Sequence, residues 1–237
     1  MRIFRGRDTG HRAGAGAAAA EPMPVTVTTA RAALNGDLTV PAGAEGLVVF
    51  AHGSGSSRRS PRNRAVAQSL VTDGLATLLF DLLTQDEELA ERYTRHLRFD
   101  IPLLADRLVG ALAWARGQER LADQPIGLFG ASTGAAAALL AASRDPGVGA
   151  VVSRGGRPDL AGDALPLVRC PTLLIVGGAD VEVLALNRRA LRHLTSAPAQ
   201  LHLVRGAGHL FEEPGALREV TDAASAWFRK HLARALA

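Results

Sequence analysis

One serine of this chain stands in a setting that favours nucleophilic chemistry. Ser132 is the centre of Gly130-Ala131-Ser132-Thr133-Gly134, directly after the apolar run 126–129. Glycines two positions to either side allow a sharp strand-to-helix turn that exposes a hydroxyl group. The alanine-rich run 135–142 favours a helix after that turn. The pentapeptide alone also fits an ordinary turn, but its context favours a nucleophile, which then needs a base to take its proton.

Two later segments offer an acid and a base. Residues 171–180 predict a buried strand and a glycine-rich loop that ends in Asp180, and residues 200–209 predict a strand and a loop that ends in His209. The chain order Ser132, Asp180, His209 is the order of one of the folds that use such a trio. Because each residue follows a predicted strand, a parallel sheet would bring all three to one edge.

Each partner also has a simpler interpretation. Asp180 would suit the start of a helix near Val181, and His209 could be a solvated loop histidine. Asp159, which follows the predicted strand 149–153, is a rival for the acid. We favour Asp180 because the glycines before it suit a turn into a cleft.

A site of this kind also needs groups that stabilise the negative charge that develops on the oxygen of the attacked carbonyl. The predicted strand 46–51 leads into His52-Gly53-Ser54-Gly55-Ser56-Ser57, a flexible loop that can direct a backbone N–H towards an alkoxide. We expect the N–H groups of Ser54 and Thr133 to form this oxyanion hole. The loop could equally be a simple turn; no lysine follows its glycines, so it is not a phosphate-binding P-loop.

Together these motifs resemble those of the α/β-hydrolases. The chain is similar to the small, lidless branch related to dienelactone hydrolases, from about Val25 to the C-terminus. The segments that carry the resemblance are His52-Gly-Ser-Gly-Ser-Ser57, Gly130-Ala-Ser-Thr-Gly134, Gly177-Gly-Ala-Asp180 and Gly206-Ala-Gly-His209. The resemblance implies an α/β-hydrolase fold: a mostly parallel, eight-stranded, doubly wound sheet with about six helices and no cap domain.

The resemblance also guides the expected reaction. Dienelactone hydrolases proper have a cysteine at the position of Ser132, so we expect cleavage of carboxylic esters by serine, with thioesters and lactones as further substrates. The alternatives are a binding or regulatory module with little turnover and an acyltransferase. Fewer than twenty residues separate Ser153 from Pro171, where larger hydrolases insert a cap, and this predicts an open, shallow site.

Three arginines are candidates for substrate binding. Arg58 follows the predicted oxyanion loop, and Arg154 and Arg157 follow the strand 149–153. Arginine suits the bidentate binding of anions, so Arg58 would attract an acidic acyl group or a phosphate, and Arg154 and Arg157 would contact the substrate. Solubilising surface charge is the favoured interpretation of Arg58, whereas structural pairing and substrate contact are equally compatible with Arg154 and Arg157.

Composition narrows the function classes further. The chain has 237 residues and a net charge of +4, but Lys230 is its one lysine and its arginines are scattered among 23 acidic residues. Neither a basic stripe with interleaved aromatics nor a nucleic-acid motif is present, so we expect no nucleic-acid partner. We expect a disordered leader over residues 1–24 and a single domain over 25–237.

The remaining expectations concern cofactors and compartment. Cys170 is the one cysteine, so no disulfide can form within the chain, and its position before a strand predicts a buried thiol. We find no metal-ligand spacing and expect no cofactor or metal. With no long apolar stretch, we expect a cytoplasmic protein without membrane contact, acting on a small ester-type molecule. The oligomeric state is open.

Overall fold

Short apolar runs of the sequence form the middle of a sheet. The computed structural model describes residues 20–233, and all residues of β3 (Leu47–Ala51), β4 (Ala76–Phe80), β5 (Ile126–Ala131) and β7 (Thr172–Gly177) are buried. Parallel strands that are covered on both faces consist of continuous apolar runs rather than alternating ones. This explains why apolar residues fill these segments.

The other four strands complete the predicted architecture. They are β1 (Met23–Thr28), β2 (Ala33–Thr39), β6 (Val148–Arg154) and β8 (Ala199–Val204). The strand order is β1-β2-β4-β3-β5-β6-β7-β8. Only β2 runs antiparallel to its neighbours, and the other pairs are parallel. The predicted eight-stranded, mostly parallel sheet is confirmed.

The first strand begins slightly earlier than the boundary at residue 25 suggested. Met23 pairs with Leu38 and Pro24 with Asp37, so both residues belong to β1. The predicted leader otherwise falls on residues 1–19, which lie outside the described residues, and on the three residues that precede β1.

Six α-helices within the described residues cover the sheet. The helices α1 (Pro61–Thr72) and α6 (Ala216–Leu232) pack on one face. On the other face lie α3 (Ile101–Arg116), α4 (Thr133–Arg144) and α5 (Val181–Leu191). The sixth helix, α2 (Gln85–Thr94), follows β4. The predicted six helices and the doubly wound arrangement are confirmed.

Side-chain caps fix where three of these helices begin. The Ser60 hydroxyl accepts the Asn63 N–H at the start of α1, as its position before Pro61 predicted. Asp100 caps α3 in the same way. At α2, Thr84 and Glu87 form a reciprocal capping box.

No cap domain interrupts the described residues between β6 and β7. The link contains a 3₁₀ segment, Pro158–Leu167, which packs against α4 and α5. The described link between β6 and β7 therefore holds no cap domain, as the short spacing predicted.

Candidate active site

Ser132 occupies the turn between β5 and α4. Its backbone has φ 51° and ψ −121°, a combination that non-glycine residues rarely adopt. The turn depends on the flanking glycines: a Cβ on Gly130 would lie 2.4 Å from the Ala135 Cα, and one on Gly134 would lie 2.3 Å from the Ala51 carbonyl oxygen. The strained backbone and the part-exposed serine are typical of a nucleophile elbow.

Asp180 and His209 are joined by a short hydrogen bond. Asp180 follows β7 and His209 follows β8, and the His209 Nδ1–H donates to Asp180 Oδ2 at 2.6 Å. Asp180 is the residue before α5, but its side chain makes no capping bond to that helix. The rival carboxylate, Asp159, is paired with Arg157 at 2.8–2.9 Å instead. Of the two candidate acids, the structure brings Asp180 to the imidazole.

Ser132 and His209 flank the same piece of backbone. The Ser132 N–H donates to the Arg154 carbonyl at 3.2 Å. The next residue, Gly155, has φ 51°, and a Cβ there would lie 3.6 Å from His209 Cε1 and 3.3 Å from the His209 carbonyl oxygen. No hydrogen bond joins Ser132 Oγ to His209 in the part of the chain that the structure describes; such bonds often tighten only when substrate binds.

The loop that carries His209 is anchored by a residue that the sequence analysis missed. Phe211 has φ 55°, and its ring is 2% exposed in the core beneath α6. The same ring lies against Gly155, where a Cβ would be 3.3 Å from it. Glu213 accepts the Gly208 N–H at 2.8 Å. An aromatic residue two positions after the histidine was the available signal for this anchor.

Of the two N–H groups that are expected to form the oxyanion hole, that of Ser54 already has a hydrogen-bond partner. The Ser54 N–H donates to the Thr133 Oγ1 at 2.8 Å. The Thr133 N–H belongs to the first turn of α4, where backbone donors have no partner within the helix. The Thr133 side chain is therefore a further part of the site, at a motif position where the sequence analysis considered only the backbone.

His52 fixes the start of the same loop. Its Nε2 accepts the Leu82 N–H at 3.1 Å, so Nδ1 carries the proton and donates to the Gly53 carbonyl at 3.0 Å. Burial lowers the pKa of His52, against a smaller opposing effect of the Gly53 bond. A neutral ring therefore holds Gly53, whose Cβ position lies 3.0 Å from Ser132 Cβ.

The three candidate substrate arginines differ in their partners. Arg58 is paired with Asp81 and, at 3.5 Å, with Asp37. Arg157 forms a two-pronged pair with Asp159, which raises its pKa. Arg154 is 8% exposed and makes one side-chain hydrogen bond, from Nη2 to Asn63 Oδ1 at 3.3 Å.

A buried carboxylate positions a further arginine above the oxyanion loop. Glu91 is 0% exposed and accepts the N–H groups of His96, Leu97 and Arg98 and the Arg98 Nε–H, at 2.7–3.2 Å. Burial raises the pKa of Glu91, but these bonds outweigh it and bring the pKa to about 2. Arg98 Nη1 thereby lies 3.5 Å from the Cβ position of Gly55.

A cavity of about 520 Å³ opens beside this arginine. Its lining includes Gly55, Ser57, Ser60, Asp81 and Arg98. It lies along the oxyanion loop and the start of α1, and Ser132, Asp180 and His209 are not among its lining residues.

The described residues offer no other reactive centre of the expected kinds. Within residues 20–233, no group of three or more His, Cys, Asp and Glu side chains is placed to hold a metal ion. Cys170 is buried, and burial raises the pKa of its thiol to about 11. None of the helices between residues 20 and 233 has the length and apolar character needed to cross a membrane.

Known proteins similar to this chain fall into one fold. A crystal structure of a dienelactone hydrolase from Anabaena variabilis has 55% identity and a TM-score of 0.89, covering 91% of this chain and 100% of its own. The esterase domain of a Rhodothermus marinus protein has 20% identity and a TM-score of 0.70, covering 90% of this chain and 99% of its own. At that identity, the second likeness supports the fold alone.

Two Mycobacterium tuberculosis proteins, each named "Putative phosphoribosyl transferase", are 58% identical over 199 residues, which cover 83% of this chain. The aligned part makes up 44% of their length, so this chain spans less than half of these relatives. The family model of the dienelactone hydrolases matches residues 34–233. The match extends from β2 to the end of α6, and the chain therefore belongs to the dienelactone hydrolase family.

Proposed function

We propose that this chain is a serine hydrolase that cleaves carboxylic esters through an acyl-enzyme on Ser132. The observation that supports this most directly is the 2.6 Å bond between Asp180 and His209 Nδ1, together with the strained turn at Ser132. With Nδ1 occupied, Nε2 is the ring nitrogen left to act as a base.

The proposed reaction uses each of these groups in turn. His209 Nε2 takes the proton of Ser132 as Oγ attacks the carbonyl carbon, and Asp180 stabilises the imidazolium that results. The tetrahedral intermediate collapses, and His209 returns the proton to the departing alcohol. Water then attacks the acyl-enzyme with His209 as its base, which releases the acid and restores Ser132.

The oxyanion hole requires an exchange of partners. We assign the negative oxygen to the N–H groups of Thr133 and Ser54, as the motif predicts. Because the Ser54 N–H is bonded to Thr133 Oγ1, it has to share or exchange that bond when the oxyanion forms. The Thr133 hydroxyl group thus holds the donor in place before substrate arrives.

Two observations favour small ester substrates. The β6–β7 link holds no cap domain among the described residues, and the cavity beside the oxyanion loop has a volume of about 520 Å³. Thioesters and lactones present the same acyl carbon, and we include them as secondary substrates. A binding module without turnover and an acyltransferase are the competing functions.

The name of the Mycobacterium tuberculosis relatives suggests a different activity. We assign the named phosphoribosyl transfer to the part of those proteins outside the alignment, which is more than half of their length. The described residues of this chain instead form a serine elbow with a histidine–aspartate pair.

The decisive experiment combines a covalent probe with turnover. Wild-type protein should react with a fluorophosphonate at Ser132 and hydrolyse 4-nitrophenyl butyrate. Ser132→Ala should lose the label and about a thousandfold or more of kcat, with an unchanged Tm. A wild type that neither reacts nor turns over would support the binding module. Product diverted to an added alcohol would support acyl transfer.

A further inference from the structure

Arg154 is a buried cation without a carboxylate partner. None of the ion pairs formed by residues 20–233 includes it, and its Nε is fully buried with no hydrogen-bond partner. Arg58 and Arg157, the other two candidates, are each paired with an aspartate. Removing a charge from water is unfavourable unless an opposite charge or hydrogen bonds compensate for the lost hydration. The burial of Arg154 therefore reduces the stability of the fold.

The residue remains charged at neutral pH. Burial lowers the pKa of Arg154, and the neighbouring Arg62 lowers it further, to about 10. At pH 7 the guanidinium is therefore still protonated, and a second positive charge lies close to it.

Arg154 lies at the edge of the sheet that carries Ser132. Arg154 is aligned with Ala131 across β5 and β6, and its carbonyl oxygen accepts the Ser132 N–H. Its side chain reaches Asn63 in the first turn of α1. Among the described residues Nη1 has no hydrogen-bond partner and, unlike Nε, it is not fully buried.

The neighbouring cation, Arg62, forms only a weak and exposed ion pair. Arg62 pairs at 3.2 Å with Glu212, a carboxylate that is 68% exposed and follows His209 by three residues. Exposed ion pairs of this kind contribute little to stability. Arg62 can therefore turn towards an incoming anion, and the first turn of α1 adds the partial positive charge of a helix start.

We propose that Arg154, with Arg62 beside it, binds an anionic group of the substrate, a carboxylate or a phosphate. The fork of Arg154 suits both groups, and the bound anion supplies the partner that the fold omits. The kinetic part of the test rests on the proposed ester hydrolysis, whereas the binding part does not.

The binding test measures Tm in sodium phosphate, in sodium succinate and in sodium chloride at equal ionic strength. A bound anion stabilises the folded state, so at least one of the two anions should raise the Tm of the wild type above its value in chloride. Whichever does so identifies the group as phosphate or carboxylate. Arg154→Met should remove this response, and Arg144→Met, a control that loses an exposed pair with Asp106, should keep it.

The same variants distinguish binding from a structural role. Without anions, Arg154→Met should have a Tm equal to or above that of the wild type, because the unpaired charge is gone. Arg154→Lys, which keeps the charge but not the fork, should weaken the anion response. A lower Tm for Arg154→Met, with a wild type indifferent to both anions, would overturn the proposal and make Arg154 a structural residue.

The kinetic test compares 4-nitrophenyl hydrogen succinate with 4-nitrophenyl butyrate, which lacks the charge. The ratio of their kcat/KM values should fall about tenfold or more in Arg154→Met, mainly through KM. An unchanged ratio together with an unchanged Tm response would refute the anion site. If wild type cleaves neither ester and resists the fluorophosphonate, the proposed hydrolysis fails, and the Tm series still decides whether the anion site exists.

Discussion

At the scale of single residues, the position of Asp180 shows why side-chain direction matters more than sequence context. A carboxylate just before a helix commonly caps it, and Asp180 stands just before α5. Its side chain bonds His209 instead. The competing Asp159 is held by Arg157, so two carboxylates that look alike in the sequence have different partners in the fold.

Replacing Asp180 tests this assignment. Asp180→Asn should lower kcat for 4-nitrophenyl butyrate by about a thousandfold or more, because the amide cannot hold the Nδ1–H tautomer, with little change in KM. Asp159→Asn is the matched control and should retain most of the activity. Steady-state kinetics of the two variants decide between them; a larger loss in Asp159→Asn would reassign the acid.

The Thr133 hydroxyl offers a second test at this scale. Thr133→Val keeps the shape of the side chain but leaves the Ser54 N–H without its acceptor. A misplaced oxyanion donor should lower kcat by about tenfold or more, while KM and Tm change little. Thr133→Ser, which keeps the hydroxyl, should restore most of the rate. Normal kcat in Thr133→Val would mean that the loop holds Ser54 without this bond.

At the scale of elements, the loops after the strands are positioned by buried anchors. Glu91 gathers the N–H groups between α2 and α3 and so places Arg98 beside the oxyanion loop. His52 links that loop to the end of β4 through Leu82. Phe211 ties the His209 loop to the core under α6. Each anchor ties a loop to a helix, a strand or the core, which keeps the site organised without a cap.

The Phe211 anchor predicts a coupled loss of stability and activity. Phe211→Ala removes a ring that is 2% exposed, which should reduce the free energy of unfolding by about 3–5 kcal/mol in urea titrations. Because the ring also lies against Gly155 beside His209, kcat should fall even at temperatures where the variant remains folded. Leu217→Ala is the control: Leu217 is partly buried against the same cluster but belongs to α6 rather than to the His209 loop, so its loss should lower stability with little loss of kcat. Equal kcat in both variants would separate the anchor from the active site.

At the scale of the whole molecule, local signals in the sequence predicted the framework. The apolar runs, the glycines around Ser132 and the short β6–β7 spacing predicted the sheet, the elbow and the missing cap. Contacts distant in sequence were not predictable in the same way. The Ser54–Thr133 bond spans 79 positions and the Arg154–Asn63 bond spans 91, and no local pattern specifies either. The sequence does not indicate that Glu91 is buried, because most residues of α2 are polar.

These anchors also give the whole molecule a defined response to acid. The folded state lowers the pKa of His52 from its ordinary 6.5 and that of Glu91 from 4.5 to about 2. Below pH 6.5 the unfolded chain takes up a proton at His52 that the folded chain resists, and between pH 4.5 and 2 the same holds for Glu91. Stability should therefore be level above pH 6.5 and fall below it as the unfolded chain protonates His52, by at most about 1.4 kcal/mol per pH unit for this residue.

Urea titrations from pH 8 to pH 4 measure this response. His52→Gln retains an acceptor for the Leu82 N–H without a titrating ring, so its stability should be lower than that of the wild type at pH 7 but should decline less between pH 6.5 and 5. His193→Gln, which replaces a histidine on the surface after α5, should follow the wild type. A parallel decline in His52→Gln and wild type would show that the protonation of His52 does not limit the acid stability of the fold.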